Sequence, residues 1–270
     1  MGSGIAQVAA QSGFFTILYD LNADVLEKAR TSIEKNLQKQ VEKQKLGAEQ
    51  KNEIYNRILF ISDLQQCLAD VFIEAVIEKP AVKIALFNQL AELNHSECIF
   101  ATNTSSLSVS QIAAGIKNPE RVIGMHFFNP APLMKLVEIV STEHTDASVV
   151  KTMQELASAL GKTAVICKDS PGFIVNRVAR PFYIESLRLA EENITDFAQA
   201  DRLLEATGFK LGPFRLMDLI GNDVNYAVSC SVYEQLNQPV RLKPSYIQKE
   251  KVDKAELGRK SGRGYYDYNS

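Results

Sequence analysis

The sequence predicts an α/β domain with a doubly wound, parallel, Rossmann-like sheet, followed by a domain made only of helices. Two observations lead to this prediction. Short apolar segments of β-forming residues alternate with helical patterns over residues 1–168, whereas residues 169–270 show helical patterns alone. Of the 270 residues, 46% are hydrophobic, which is enough to bury one large core or two ordinary ones.

The first predicted strand is 14–19, FFTILY, an apolar run bounded by Gly13 and Asp20. A long amphipathic helix follows, because apolar residues recur at helical spacing in ADVLEKARTSIEKNLQKQVEKQKL. Further strands are predicted at 69–77, 97–103, 121–128 and 134–140, with a helix at 81–93. Such alternation is typical of parallel sheets.

The pattern changes after Lys168, where four helical segments follow one another without a convincing strand: DSPGFIVNRVARPFYIESLRLAEEN, DFAQADRLLEAT, LMDLIGNDVNYAVSCSVYEQL and PSYIQKEKVDKAEL. We therefore predict two domains, 1–168 and 169–270. The boundary lies where the strand pattern ends.

Composition argues against several functional classes. A net charge of −2 gives no general attraction to nucleic acid or to anionic membranes. No apolar run reaches the roughly 18 residues of a membrane span, and the start lacks the pattern of a signal peptide. We therefore expect a cytoplasmic protein. The cysteines are scattered and show no ligand spacing with the three histidines, so we expect buried thiols in a reducing compartment and no metal (Cys67, Cys98, Cys167 and Cys230).

Asp20 suggests a dinucleotide site, because such folds place an acid at the end of the second strand, about 20 residues after a glycine-rich turn. The carboxylate would repel a 2′-phosphate, and no arginine stands at 21 or 22, which favours NAD over NADP. Gly2 falls where the third glycine of G-x-G-x-x-G belongs. We expect the first two glycines and their strand to precede Met1. The alternative is a flexible start and a surface acid.

His126 and Glu138 form the most informative pair. They lie twelve residues apart on two predicted strands, which would bring them within hydrogen-bonding distance if the strands are neighbours. A histidine held by a carboxylate is a common general base. The alternative is a core histidine with a satisfied hydrogen bond.

Three further features favour a functional site. TNTSSLS, residues 102–108, follows a strand where open α/β sheets bind ligands, although it could simply cap the next helix. Asn129 precedes a proline, which indicates a turn at a strand end. Asn176 lies within the first helix of the second domain, where asparagine has poor propensity.

The blocks NTSSLS, HFFNPAPLMKLVE, KDSPGFIVNR, GPFRLMDLIGNDV and GRKSGRGYYDY together resemble the L-3-hydroxyacyl-CoA dehydrogenases. The resemblance extends from residue 1 to about 268. VNRVARPFY and IGNDVNYAVSCSVY are most similar to bacterial enzymes for 3-hydroxybutyryl-CoA or 3-hydroxyadipyl-CoA, the latter in phenylacetate breakdown. The family oxidises the 3-hydroxyl of an acyl-CoA to a ketone and passes a hydride to NAD.

The resemblance implies a role for each matching residue. His126 matches the base, Glu138 the carboxylate that orients it, and Ser105 and Asn176 the groups that hydrogen-bond the substrate oxygen. The implied NAD contacts, besides the glycine turn and Ser105, are Asp20, Glu78, Lys83, Asn129 and Lys260. Without the resemblance, Glu78 and Lys83 would be interpreted as an exposed pair of surface charges, and Lys260 as a solvated lysine.

For CoA, the resemblance implies a helical hairpin that includes the long helix after Asp20. Lys43 matches a CoA contact, and Asn36 stands where the family usually has serine, so that contact departs from the family pattern. The lysines of this helix suit phosphates, although they could also form only its solvated face. The helical domain matches the family's homodimer interface, although its apolar segments also fit a plain core.

Two other functions are considered. If the first strand and glycine turn are absent, the chain could be an acyl-CoA-binding or structural dimer that cannot hold NAD, because a parallel sheet tolerates the loss of a central strand poorly. A β-hydroxyacid dehydrogenase of the 6-phosphogluconate type would share the architecture but use a lysine base. The HFFNP segment argues against that type.

Overall fold

The computed structural model describes residues 1–269, which divide into two compact units, Met1–Asp169 and a second that begins at Ser170. The first unit contains seven strands: β1 (Thr16–Tyr19), β2 (Ile58–Ile61), β3 (Val71–Glu74), β4 (Ile99–Thr102), β5 (Val122–Phe127), β6 (Leu136–Ser141) and β7 (Thr163–Lys168). Its helices are α1 (Gly2–Gln11), α2 (Ala23–Glu42), α3 (Ala48–Asn56), α4 (Pro80–Leu93), α5 (Val109–Ala114) and α6 (Ala147–Ala159).

The second unit is helical, as predicted. Its helices are α7 (Val175–Glu191), α8 (Phe197–Ala206), α9 (Pro213–Ile220), α10 (Asn222–Gln235) and α11 (Tyr246–Asp253). The α/β character of the first part and the helical character of the second are thus confirmed. None of the described helices is both long and apolar enough to cross a bilayer.

The strands of the first unit form two sheets rather than one. β1 and β2 pair in parallel, and the other five strands follow the order β3-β4-β5-β6-β7. Within residues 1–269 no strand pairs with both β1 and β3, so the single sheet that the alternation predicts is interrupted there. Helix α1 contributes to the cores of both sheets, through Ile5 and Val8 on one side and Ala10 on the other.

The large sheet is parallel except between β5 and β6, which run antiparallel. The reason is the short connection: only residues 128–135 separate Phe127 from Leu136, and a parallel crossover needs a dozen residues or more. The register of this hairpin places His126 directly opposite Glu138.

Two buried aspartates organise the second unit. Asp201 accepts hydrogen bonds from the backbone N–H groups of Phe214 and Arg215, in the first turn of α9. Asp218 accepts from the backbone N–H groups of Tyr265 and Tyr266. Both carboxylates therefore satisfy buried backbone donors, and the second one anchors the C-terminal segment.

Candidate active site

His126 and Glu138 lie at the centre of the site. The His126 Nδ1 atom is 2.6 Å from Glu138 Oε2, and the two residues are 5% and 0% exposed. Because an ionised carboxylate can only accept, the contact with Glu138 favours the tautomer in which Nδ1 carries the proton and donates the hydrogen bond. The Phe128 ring packs beside the imidazole, with 4.6 Å between the ring centroids. The expected pairing of the two strands is thus present.

The loop that carries Ser105 lies between β4 and α5, and hydrogen bonds at residues 103–105 hold its first part in place. Asn103 Oδ1 accepts from the backbone N–H of Phe127 at 2.8 Å, next to His126. Glu78 Oε1 accepts from the Ser105 N–H at 3.0 Å and from the Thr104 hydroxyl at 2.5 Å. These bonds hold the loop beside β5, at the carboxyl ends of the strands.

The other end of this polar segment does cap a helix. Ser108 Oγ accepts from the Gln111 N–H at 3.2 Å and donates to Asp169 Oδ2 at 2.7 Å. The Ser110 N–H donates to the same aspartate oxygen at 2.8 Å. The segment therefore divides into a helix cap and a loop held by Glu78.

Glu78 and Lys83 form an ion pair in which only Glu78 reaches the surface. Lys83 is 1% exposed, and its Nζ lies 2.7 Å from Glu74 Oε1 and 3.1 Å from Glu78 Oε2. Burial by itself raises the pKa of Glu78, but the hydrogen bond from Thr104 and the charge of Lys83 outweigh it, so this pKa lies below its ordinary value. Glu78 is therefore an ionised acceptor at neutral pH.

The residues at the start of the chain fit the adenosine half of a dinucleotide. Asp20 directly follows β1, and its carboxylate accepts from the Asn22 N–H at 2.9 Å. Helix α1 begins at Gly2 without an acidic residue in its first turn and without a side-chain cap from Met1. Backbone N–H groups at such a helix start attract phosphate.

Gly2 is not the tightest glycine of this region. A Cβ atom built on Gly2 would lie 3.9 Å from Leu18 Cδ1, an ordinary contact, whereas one on Gly4 would lie 3.2 Å from Pro132 Cδ. Close packing of α1 therefore depends on Gly4, which the motif alone does not indicate.

The remaining predicted residues are distributed over both units. Asn129 is exposed after β5, and its peptide bond to Pro130 is cis. Asn36 lies on α2, where its amide donates to Gln7 Oε1 at 3.4 Å, and Lys43 is exposed at the end of that helix. In the second unit, Asn176 lies in the first turn of α7. Lys260 forms an ion pair with Asp223, with 2.5 Å between Nζ and Oδ1.

Sequence reasoning missed Glu74, Asn103 and Asp169. Each fastens backbone or side chains around the Ser105 loop. The sequence does carry a signal for Glu74. It is the acid at the end of an apolar strand, VFIE, and a lysine follows it nine residues later inside an apolar helix. Buried charges of this kind need partners. No cluster of three or more histidine, cysteine or acidic side chains suited to a metal occurs among residues 1–269.

Two family models together cover almost the whole chain. The NAD binding domain of 3-hydroxyacyl-CoA dehydrogenase matches residues 1–170, and the C-terminal domain of the same family matches 172–268. These matches agree with the resemblance seen in the sequence blocks.

Curated relatives give the same result. A 3-hydroxyadipyl-CoA dehydrogenase of Escherichia coli is 48% identical over all of this chain, which spans 57% of that protein's length. A mitochondrial hydroxyacyl-coenzyme A dehydrogenase of Sus scrofa is 36% identical over 99% of this chain and 88% of its own. A probable 3-hydroxybutyryl-CoA dehydrogenase of Deinococcus radiodurans is 37% identical over 99% and 96%.

Solved structures share the fold. The crystal structure of 3-hydroxybutyryl-CoA dehydrogenase from E. coli matches with a TM-score of 0.96 and 48% identity, covering 100% of this chain and 58% of that one. That of (S)-3-hydroxybutyryl-CoA dehydrogenase from Ralstonia eutropha matches with a TM-score of 0.95 and 32% identity, covering 100% and 96%. The chain therefore belongs to the 3-hydroxyacyl-CoA dehydrogenases, a family of enzymes with an NAD-binding domain.

Proposed function

We propose that the chain oxidises the 3-hydroxyl of an acyl-CoA to a ketone, with His126 as the general base. NAD, when bound, accepts the hydride. The observation that supports this proposal is the buried 2.6 Å contact between His126 and Glu138. Family membership favours the enzyme over the alternative of a structural dimer without NAD.

In this mechanism, Nε2 of His126 takes the hydroxyl proton and returns it in the reverse reaction. Glu138 holds the ring in the tautomer that presents Nε2 and stabilises the imidazolium after proton transfer. Because Glu138 is fully buried, water does not screen this interaction. The pair thus supplies both orientation and charge.

We assign Ser105 and Asn176 to the substrate oxygen, whose charge changes during the reaction. Hydrogen bonds hold the backbone of the Ser105 loop, which supports a fixed position for the Ser105 hydroxyl. For Asn176 the support is the resemblance of KDSPGFIVNR to the family.

For NAD, we assign Asp20 to the adenosine ribose and the α1 start at Gly2 to the pyrophosphate. We assign Glu78, Lys83, Ser105, Asn129 and Lys260 to the remaining cofactor contacts. Asp20 supports NAD rather than NADP, because its carboxylate would repel a 2′-phosphate. For CoA, we assign Asn36 and Lys43 on α2, which carries exposed lysines along its length.

The substrate proposed is a 3-hydroxybutyryl or 3-hydroxyadipyl thioester, within fatty acid or phenylacetate degradation. The names of the relatives above support either acyl group. We further propose a cytoplasmic homodimer formed through the second unit. Large apolar side chains exposed on that unit support such an interface (Val178, Ile194, Leu203, Phe209 and Val240).

The test is the reduction of acetoacetyl-CoA, followed by the loss of NADH absorbance. We expect turnover by the wild-type chain and its near abolition in His126→Gln. His144→Gln, which removes an exposed imidazole, is the matched control and should leave the rate unchanged. Normal turnover by His126→Gln would refute the mechanism, and failure to bind NADH in a calorimetric titration would favour the structural dimer.

A further inference from the structure

A chain of three buried or half-buried charges lies under the Ser105 loop. Glu74, at the end of β3, and Lys83, in α4, each have side chains that are 1% exposed, with 2.7 Å between Oε1 and Nζ. Lys83 also reaches Glu78 Oε2 at 3.1 Å, and the Glu78 side chain is 37% exposed. Lys83 therefore joins a fully buried carboxylate to one at the surface.

Both carboxylate oxygens of Glu74 also accept hydrogen bonds from groups other than Lys83. Oε1 accepts from the Val76 N–H at 2.6 Å, and Oε2 accepts from the Thr102 hydroxyl at 2.8 Å. The partners come from the segment after β3, from β4 and from α4. Glu74 is thus held in one position, and it in turn fixes the ammonium group of Lys83.

The Glu78 carboxylate accepts the hydrogen bonds that hold the Ser105 loop. Glu78 Oε1 accepts from the Ser105 N–H and from the Thr104 hydroxyl, and Thr104 Oγ1 accepts from the Leu107 N–H at 2.9 Å. The conformation of residues 104–107 therefore depends on where Glu78 lies. Lys83 is the cation that holds Glu78 there.

We propose that Glu74 is a positioning residue: through Lys83 and Glu78 it fixes the backbone of the Ser105 loop. Glu74 donates nothing to the substrate or the cofactor. Its contribution to turnover rests on the role proposed for Ser105, whereas its contribution to the loop does not.

Glu74→Gln tests this with little change in shape. The glutamine oxygen can accept from Lys83 and Val76, and its amide can donate to Thr102, whose hydroxyl can turn to accept. The hydrogen bonds can still form, but the bond to Lys83 loses the negative charge that strengthens it, so the lysine is held less firmly. Asp70→Asn is the matched control, because Asp70 lies just before β3 with 94% side-chain exposure.

The first measurement is amide hydrogen exchange of the ligand-free protein over residues 103–108. We expect exchange about tenfold faster in Glu74→Gln than in the wild type, with α6 unchanged and Asp70→Asn like the wild type. Unchanged protection of the loop would overturn the proposal. This readout stays valid even if the wild-type chain reduces no acyl-CoA, a result that would refute the proposed function alone.

The second measurement is kinetic. We expect Glu74→Gln to lower kcat by about tenfold, with a smaller change in KM. The melting temperature should fall as well, because Lys83 loses its fully buried counter-ion. Glu74→Gln combined with Lys83→Met should have the kcat of Lys83→Met alone, because Glu74 acts through the lysine. An additional loss in the double variant, or a drop in stability without a drop in kcat, would contradict the proposal. Lys83→Met alone could fail to fold. In that case the double variant, which loses one negative and one positive charge, is compared with Glu74→Gln. A higher kcat in the double variant than in Glu74→Gln would equally contradict the proposal.

Discussion

Glu138 faces His126 as its direct partner across the β5–β6 hairpin, with 2.6 Å between the carboxylate and the imidazole. Glu138→Gln should therefore lower kcat by about 10²–10⁴, because an amide can present its NH₂ group to Nδ1 and favour the wrong tautomer. Steady-state kinetics check this. Glu143→Gln, at an exposed acid, should be unaffected, and an equal loss in both variants would contradict the assignment.

Asp20 should determine the choice of dinucleotide. Asp20→Ala is expected to weaken NADH binding by about tenfold and to improve NADPH binding, because the variant would lose the proposed ribose hydrogen bond and a repulsive charge. Fluorescence titration with both dinucleotides measures the two affinities. Asp70→Ala, at an acid whose side chain is 94% exposed, serves as the control. An unchanged NADPH affinity in Asp20→Ala would argue against the assignment.

Gly124 allows β5 and β6 to approach closely near His126 and Glu138. A Cβ atom there would lie 2.8 Å from Val140 Cβ, on the paired strand. Gly124→Ala should cost about 1–3 kcal/mol in the free energy of unfolding and reduce kcat, because the hairpin must shift two residues from His126. Urea unfolding and kinetics check this. Gly47→Ala, where a Cβ atom meets nothing within 4 Å, should change stability little.

One buried thiol, Cys67, and one half-buried thiol, Cys167, should make the folded state less stable at alkaline pH. Burial raises the pKa of Cys67 and of Cys167 to about 11. Since unfolded thiols ionise near pH 9, the folded chain keeps protons that the unfolded chain loses, and stability falls as the pH rises from 9 towards 11. Arg180 opposes this above pH 10, because burial lowers its pKa to about 10. Urea midpoints should therefore decline between pH 8.5 and 10, and less so in Cys67→Ala. A flat profile would contradict the prediction.

Much of the site could be predicted because its chemistry is local in sequence. His126 and Glu138 lie on adjacent strands joined by a short loop, so their spacing indicates their pairing. Glu74 could not be predicted in this way, because its partners come from α4, β4 and the segment after β3. From the sequence alone, an acid at a strand end cannot be distinguished from a surface residue, because the buried lysine that pairs with it is not known.

The fold was predictable to a similar extent. The apolar strands β3 to β6 were predicted, but β2 and β7 were missed. β2 begins two residues after helix α3 ends, so its apolar residues cannot be distinguished by periodicity from the end of that helix. β7 was missed because its pattern is half-exposed. The long predicted helix after Asp20 ends earlier, at Glu42, because Gln44 adopts a positive φ of 55°.

The antiparallel pairing of β5 and β6 ties the proposed acid–base pair to strand register and not to the loop between them. A slip of one position along the strands would bring Val137 or Ile139 opposite the histidine. Because the length of a hairpin connection helps to fix the register, insertions or deletions in residues 128–135 threaten the same pairing. Redesign of this region should therefore change side chains in the connection and keep its length.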